Sequence, residues 1–173
     1  MSKDTSAQEQ DSVKNVTIRV RSVKRSDAQE VGAMAKDFAN YLRALGDTTK
    51  FQFNAKTFLR DGFGHNRAFR GFIAEVNGVA TGYLLCHEGY DTDKAIRILY
   101  IADLYVRPEY RRQGVGRALM ERAQDICKAT DVKKMVWSVY APNVTARRFY
   151  WHIGARYTKD MLLMKLPLKK QTK

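Results

Sequence analysis

The chain has 173 residues, 45% of them hydrophobic and 28% charged, with a formal net charge of +13. That length predicts one domain whose core needs no disulfide or metal staple. No apolar run is long enough to span a bilayer, and two cysteines without close spacing, Cys86 and Cys127, make no zinc motif.

The opening Met1-Ser2-Lys3-Asp4-Thr5 has no apolar signal-peptide core, so a soluble, cytoplasmic protein is expected, its thiols reduced and buried as small hydrophobes. The positive charge could meet nucleic acid, an acidic partner or an anionic cofactor. Its dense groups (Arg107–Arg117, Lys133-Lys134, Arg147-Arg148 and Lys165–Lys173) are spread along the chain. Solvated helix faces and a solubilising tail account for most of them, and nucleic acid is not the expected partner.

Residues 1–15 are polar and read as a disordered tail. The domain is placed at 16–168 and a basic tail at 169–173. Val16–Val23 alternates, Val16, Ile18 and Val20 against Thr17, Arg19 and Arg21, and predicts a strand. Ser26 and Asp27 offer an N-cap. Val31, Met34, Ala35, Phe38, Leu42 and Leu45 follow at helical spacing, and Gly46 stops the helix. A short second helix is expected over Asn54–Asp61, capped by Asn54 and ended by Gly62. Phe69–Val76 and Val79–His87 are rich in strand formers and joined by Asn77-Gly78, a strong hairpin signal. Glu88–Lys94 reads as a loop and Ala95–Val106 as a third long strand, ending at Arg107-Pro108. Arg111–Thr130 reads as a loop entering a helix, Lys133–Val139 as a strand, Asn143–Ile153 as a helix stopped by Gly154, and Arg156–Leu166 as a last strand. The order β-α-α-β-β-β-α-β-α-β predicts an α/β (α+β) fold: a mixed, mostly antiparallel sheet with helices on its faces.

Between the third long strand and its helix lies Arg111-Arg112-Gln113-Gly114-Val115-Gly116-Arg117. A helix start offers free backbone N–H groups and partial positive charge. Glycines at 114 and 116 admit a phosphate close to the backbone, and arginines at 111, 112 and 117 add charge-assisted bonds. The segment therefore reads as a pyrophosphate cradle. It is not a dinucleotide fingerprint, since position 119 is Leu, nor a P-loop, since no Gly-Lys-Ser/Thr follows.

Arg-Arg-Gln-Gly-Val-Gly resembles the Gln/Arg-x-x-Gly-x-Gly/Ala signature of the GNAT N-acetyltransferases. Upstream, Leu104-Tyr105-Val106-Arg107-Pro108-Glu109-Tyr110-Arg111 is similar to that family's fourth strand and exit. Downstream, Asn143-Val144-Thr145-Ala146-Arg147-Arg148-Phe149-Tyr150 with Gly154-Ala155 is similar to its fourth helix and the turn after it. The resemblance spans roughly residues 16–166. It implies an acetyl-CoA-dependent N-acyltransferase whose fourth and fifth strands splay apart. The acetyl-CoA arm would pair with the backbone of Leu104, Tyr105 and Val106, and the pyrophosphate would rest on Arg111, Arg112, Gln113, Gly114, Val115, Gly116 and Arg117. Asn143 would hydrogen-bond the arm and Ala146 pack beside it. Tyr150 matches the general acid that protonates the departing thiolate.

A base or a water relay must strip the incoming ammonium. Asp103 is the candidate, with a structural carboxylate as the alternative reading; Glu88, Asp91 and Asp93 are weaker candidates. Trp137, Phe149 and Trp151 are read as packing residues, and His65, His87 and His152 as structural.

Within the family, Phe58–Gly64 and Leu99–Val106 resemble spermidine/spermine and related diamine acetyltransferases. Those enzymes usually carry two neighbouring acids where this chain has Ala102 and Asp103. An acidic acceptor pocket would draw on Asp61, Glu75, Glu88, Asp91 and Asp93. The expected acceptor is a small diamine, polyamine or amino-acid-like amine. The alternatives are a protein or peptide amine and an inactive acyl-CoA-binding module. No metal is expected, and the resemblance implies a homodimer.

Overall fold

The computed structural model describes residues 17–159 and 161–168; the tails placed at 1–15 and 169–173 lie outside the described residues. The chain divides into two compact units, one running to Ser138 and one from Val139.

In the first unit, β1 (Ile18–Ser22), α1 (Ala28–Ala44), α2 (Ala55–Gly62), β2 (Arg70–Val76), β3 (Val79–Asp91), β4 (Ile96–Val106), α3 (Val115–Ala129) and β5 (Lys134–Val136) follow in order. The five strands lie in the sheet in chain order. The first four are antiparallel neighbours, and β5 runs parallel to β4.

Local chemistry sets the boundaries. Asn77 (φ 49°) and Gly78 (φ 82°) are both left-handed, the conformation that a two-residue hairpin between β2 and β3 requires. Asn54 caps α2: its side chain accepts from Lys56 N (2.9 Å) and Thr57 N (3.1 Å), and Thr57 Oγ1 accepts from Asn54 N. The expected cap at Ser26 or Asp27 does not form. A 3-10 turn over Arg25–Asp27 precedes α1, and the Asp27 carboxylate accepts from Lys24 N and both terminal nitrogens of Arg21. Asp27 straps β1 to the helix instead of capping it. β3 also runs on through Asp91 where a loop was expected from Glu88, because Glu88–Asp91 pair with Ile96–Leu99.

One face of the sheet carries α1 and α2. Val31, Met34, Ala35 and Phe58 cluster there with Ile73, Tyr83, Leu85 and Tyr105. The other carries α3, whose Arg122 lies over the Phe72 ring and whose Leu119, Met120 and Ala123 are buried.

β4 holds two irregularities. Asp103 pairs with Leu85 while Ile101 pairs with Cys86, leaving Ala102 as a one-residue bulge. Its pairing with β5 covers only Ile98–Tyr100, against Lys134–Val136. β4 continues to Val106 without β5, so the two strands part as expected, and β5 is shorter than the Lys133–Val139 run suggested.

The second unit contains α4 (Val144–His152), capped by Asn143. The strand expected over Arg156–Leu166 is absent among the described residues, so the sheet has five strands and not six. That run has a strand's composition, but a strand exists only through ladder pairing. No ladder includes it, and Met161, Leu162, Leu163, Met164 and Leu166 stay exposed.

Candidate active site

The path out of β4 is bound to itself. Arg107 N donates to Thr81 O (2.9 Å), and its guanidinium pairs with Glu30 of α1. Arg111 Nε donates to Val106 O (2.9 Å), and its guanidinium stacks over Tyr41 (4.9 Å) and Tyr105 (5.7 Å). Gln113 Nε2 donates to Glu109 O (2.7 Å). Of the three arginines expected to grip phosphate, Arg111 is thus engaged in fixing the loop, while Arg112 and Arg117 are exposed.

The turn into α3 bends through two left-handed residues, Arg112 (φ 64°) and Gly114 (φ 90°). Gly114 is the N-cap of α3 and offers no side chain to it, and the first turn holds no acid. The first intrahelical bond is Ala118 N to Gly114 O, so the amides of Val115, Gly116 and Arg117 precede the ladder. Gln113 and Gly114 are exposed and Gly116 half-buried, whereas the Val115 side chain is core. An uncapped helix start with accessible backbone and no competing carboxylate suits a pyrophosphate.

Upstream, Leu104, Tyr105 and Val106 lie on the stretch of β4 that β5 leaves unpaired. The Tyr105 ring is core, packed on Phe38 (5.5 Å) and Tyr83 (6.2 Å), so only its backbone is available to a ligand.

Asp103 is half-buried at the edge of the aromatic core. The bulge put it there. Cross-strand partners share a face and consecutive residues alternate. Asp103, opposite Leu85, therefore lies on the α1 side, and Ile101, opposite Cys86, lies on the α3 side. Tyr83 donates its hydroxyl to Asp103 Oδ2 at 2.5 Å. Burial pushes the Asp103 carboxyl up to about 6, although the bonds from Tyr83 and the Leu104 amide favour the ionised form. Burial and then the Asp103 charge lift Tyr83 well above the ordinary phenol range. A carboxylate poised near neutrality in a partly dry place can take up a proton.

Sequence reading missed Tyr83. Its only trace is a hydroxyl at an inward position of the apolar run Thr81–Cys86, and a buried hydroxyl needs a partner.

Four of the five acids on which an acceptor pocket could draw are held in ion pairs. Asp61 pairs with Arg60, Glu75 with Arg21, Glu88 with Arg70 and Asp91 with Lys134. The abundant arginines and lysines neutralise these acids, whereas Asp103 is held by a phenol.

On α4, Asn143 is buried and its Oδ1 accepts from Ala146 N (3.1 Å). Ala146 and Tyr150 are half-buried on the same helix, at the i, i+3 and i+7 spacing that puts them on one face. Both thiols are buried; burial pushes Cys86 up to about 11 and raises Cys127. Among the described residues there is no cluster of His, Cys, Asp or Glu fit for a metal, and no helix long and apolar enough to cross a membrane.

The sequence profile of the Acetyltransferase (GNAT) family matches residues 36–155, and the chain belongs to that family of N-acetyltransferase enzymes. It is 28% identical over 148 residues to the thialysine N-epsilon-acetyltransferase of Sus scrofa, covering 81% of this chain and 85% of that protein. It is 29% identical over 147 residues to the human spermidine/spermine N(1)-acetyltransferase-like protein 1, covering 79% of this chain and 20% of that protein. Its fold matches the ribosomal-protein-alanine N-acetyltransferase of Brucella melitensis biovar Abortus 2308 with a TM-score of 0.70, at 16% identity and over 87% and 100% of the two chains.

Proposed function

We propose that the protein acetylates a primary amine on a small diamine, polyamine or amino-acid-like molecule, with acetyl-CoA as donor. The observation that carries this reading is that β4 presents Asp103 and then leads, through a 3-10 turn at Pro108–Tyr110, into the exposed, uncapped start of α3. Acetyl-CoA supplies an activated thioester. The backbone of Leu104–Val106 would hold its arm, and the amides of Gln113–Arg117, with Arg112 and Arg117, its pyrophosphate. Asn143 and Ala146 would line the arm. Asp103 takes the proton from the acceptor ammonium, and Tyr150 returns one to the departing sulfur. The names of the relatives, thialysine and spermidine/spermine acetyltransferases, support a small cationic acceptor, and a single buried-edge carboxylate suits one terminal ammonium.

The test is CoA release, read with a thiol-reactive dye, over diamines, polyamines, thialysine, ornithine and lysine peptides. Turnover of at least one small amine well above the peptides is expected. Turnover confined to peptides would overturn the acceptor class, and no turnover with any amine would overturn the activity. The same reading takes the protein as a cytoplasmic homodimer working without a metal. Light scattering should give twice the chain mass, and EDTA should leave the rate unchanged.

A further inference from the structure

Tyr83 is fully buried in β3, among Val31, Met34, Ile73, Leu85 and Tyr105. Phenylalanine would fill that volume equally well, and a hydroxyl taken into a core costs free energy unless it finds a partner. Here the partner is Asp103 Oδ2. The register explains the reach: Tyr83 pairs with Tyr105 and Asp103 with Leu85, so Tyr83 and Asp103 are diagonal neighbours on one face, a separation that a long aromatic side chain bridges.

We propose that Tyr83 is a positioning residue for acetyl transfer, a core phenol that fixes the Asp103 carboxylate and keeps it ionised for the incoming ammonium. The proposal rests on Asp103 acting as the base. A carboxylate accepts at about four sites. Tyr83 and the Leu104 amide are its acceptor bonds here, which leaves room for a substrate cation. Tyr83 stays protonated throughout the working range, because burial and the Asp103 charge both disfavour its phenolate. It is therefore a fixed donor and not a second base. Burial drives Asp103 toward the neutral acid while Tyr83 opposes it, so the hydroxyl sets the pH at which the base becomes available. The other titratable group that bears on the pair is Tyr105, its neighbour on β4; Asp37 of α1 and Arg107, Glu109 and Arg111 after the strand bear on Tyr105 in turn, with Arg107 paired to Glu30 and Arg111 over Tyr41. All remain in place when only the hydroxyl is removed.

The experiment is Tyr83→Phe, which keeps the ring, compared with Asp103→Asn and the double variant on the best small amine. Losing a hydrogen bond to a charged group should move the acid limb of kcat/KM upward by roughly one pH unit or more. The loss should be about fivefold near pH 6 and fade above about pH 9, where Asp103 is ionised in both proteins. The Kd for acetyl-CoA should not change. Titration of the Asp103 carboxyl carbon by NMR should show the same upward shift without reference to turnover. A superimposable pH profile, or a loss equal at every pH, overturns the role of Tyr83. Failure of the underlying reading looks different: an Asp103→Asn protein of normal activity overturns Asp103 as the base, and the proposal with it. Inactive Asp103→Asn beside an unshifted Tyr83→Phe overturns Tyr83 alone.

Discussion

Asp103 should lower the stability of the protein at the pH where it works, and Asp103→Asn should reveal this. The folded carboxyl titrates at about 6 against an ordinary 3.8. The native state therefore holds the proton more tightly than the unfolded chain. The contribution from this group is full below about pH 3.8 and is lost as pH rises through about 6. The free-energy equivalent of that difference has an upper bound of about 3 kcal/mol. Asp103 still reaches some solvent, which screens the charge and brings the expectation to about 1–3 kcal/mol. Asparagine carries no charge to desolvate, and its Oδ1 can still accept from Tyr83. Differential scanning calorimetry from pH 4 to 8 is the assay. The variant should melt with the wild type at the acid end and roughly 2–10 °C above it at pH 8. Activity should fall over the same range. Coincident melting at pH 8, or a difference that does not vary with pH, would refute the argument that a desolvated carboxylate sits at this position.

Four further outcomes follow. Gly114→Ala places a Cβ only 3.5 Å from Ile18 Cδ1, an ordinary contact, but at φ 90°. It should cost about 1–2 kcal/mol in backbone strain alone and raise the Kd for acetyl-CoA; calorimetry showing neither would remove Gly114 from the cradle. Tyr150→Phe should lower kcat by about 10²–10⁴-fold with acetyl-CoA affinity unchanged, and a wild-type kcat in a chemistry-limited assay would exclude it as the acid. Cys86 and Cys127 should resist iodoacetamide at pH 8 in the native protein, since burial keeps both as thiols. A Cys86→Ser, Cys127→Ala double variant should keep its turnover, and its loss in a folded protein would point to an acyl-cysteine route.

What could be read from the chain was what local chemistry determines. Asn77-Gly78 predicts a left-handed turn because few other pairs tolerate it, and Asn54 predicts a cap because its side chain reaches its own amides. The strand–Arg-rich loop–helix pattern at 111–117 marks the candidate cradle for the same reason. Features decided by distant partners left no such mark. Ile101-Ala102-Asp103 reads as uninterrupted strand, and only the register against Leu85 and Cys86 exposes the bulge. Tyr83 and Asp103 meet across twenty positions of chain. The acids grouped as an acceptor pocket are individually ordinary in sequence, and the arginines and lysines that pair with them come from other strands or adjacent positions. The run Arg156–Leu166 shows the reverse error: composition alone suggested a strand that no neighbour completes.

The bulge at Ala102 works as a phase shifter in β4. Before it, odd-numbered residues such as Ile101 belong to the α3 side; after it, Asp103 and Tyr105 belong to the α1 side. The number of residues in the strand is therefore as informative as their identity. Straightening the bulge without removing a residue, so that Ala102 stood opposite Leu85, would turn Asp103 and Tyr105 toward α3 and bring Leu104 beneath α1. Deleting Ala102 while Ile96–Ile101 kept their pairing would instead place Asp103 directly after Ile101, still opposite Leu85 and still on the α1 side.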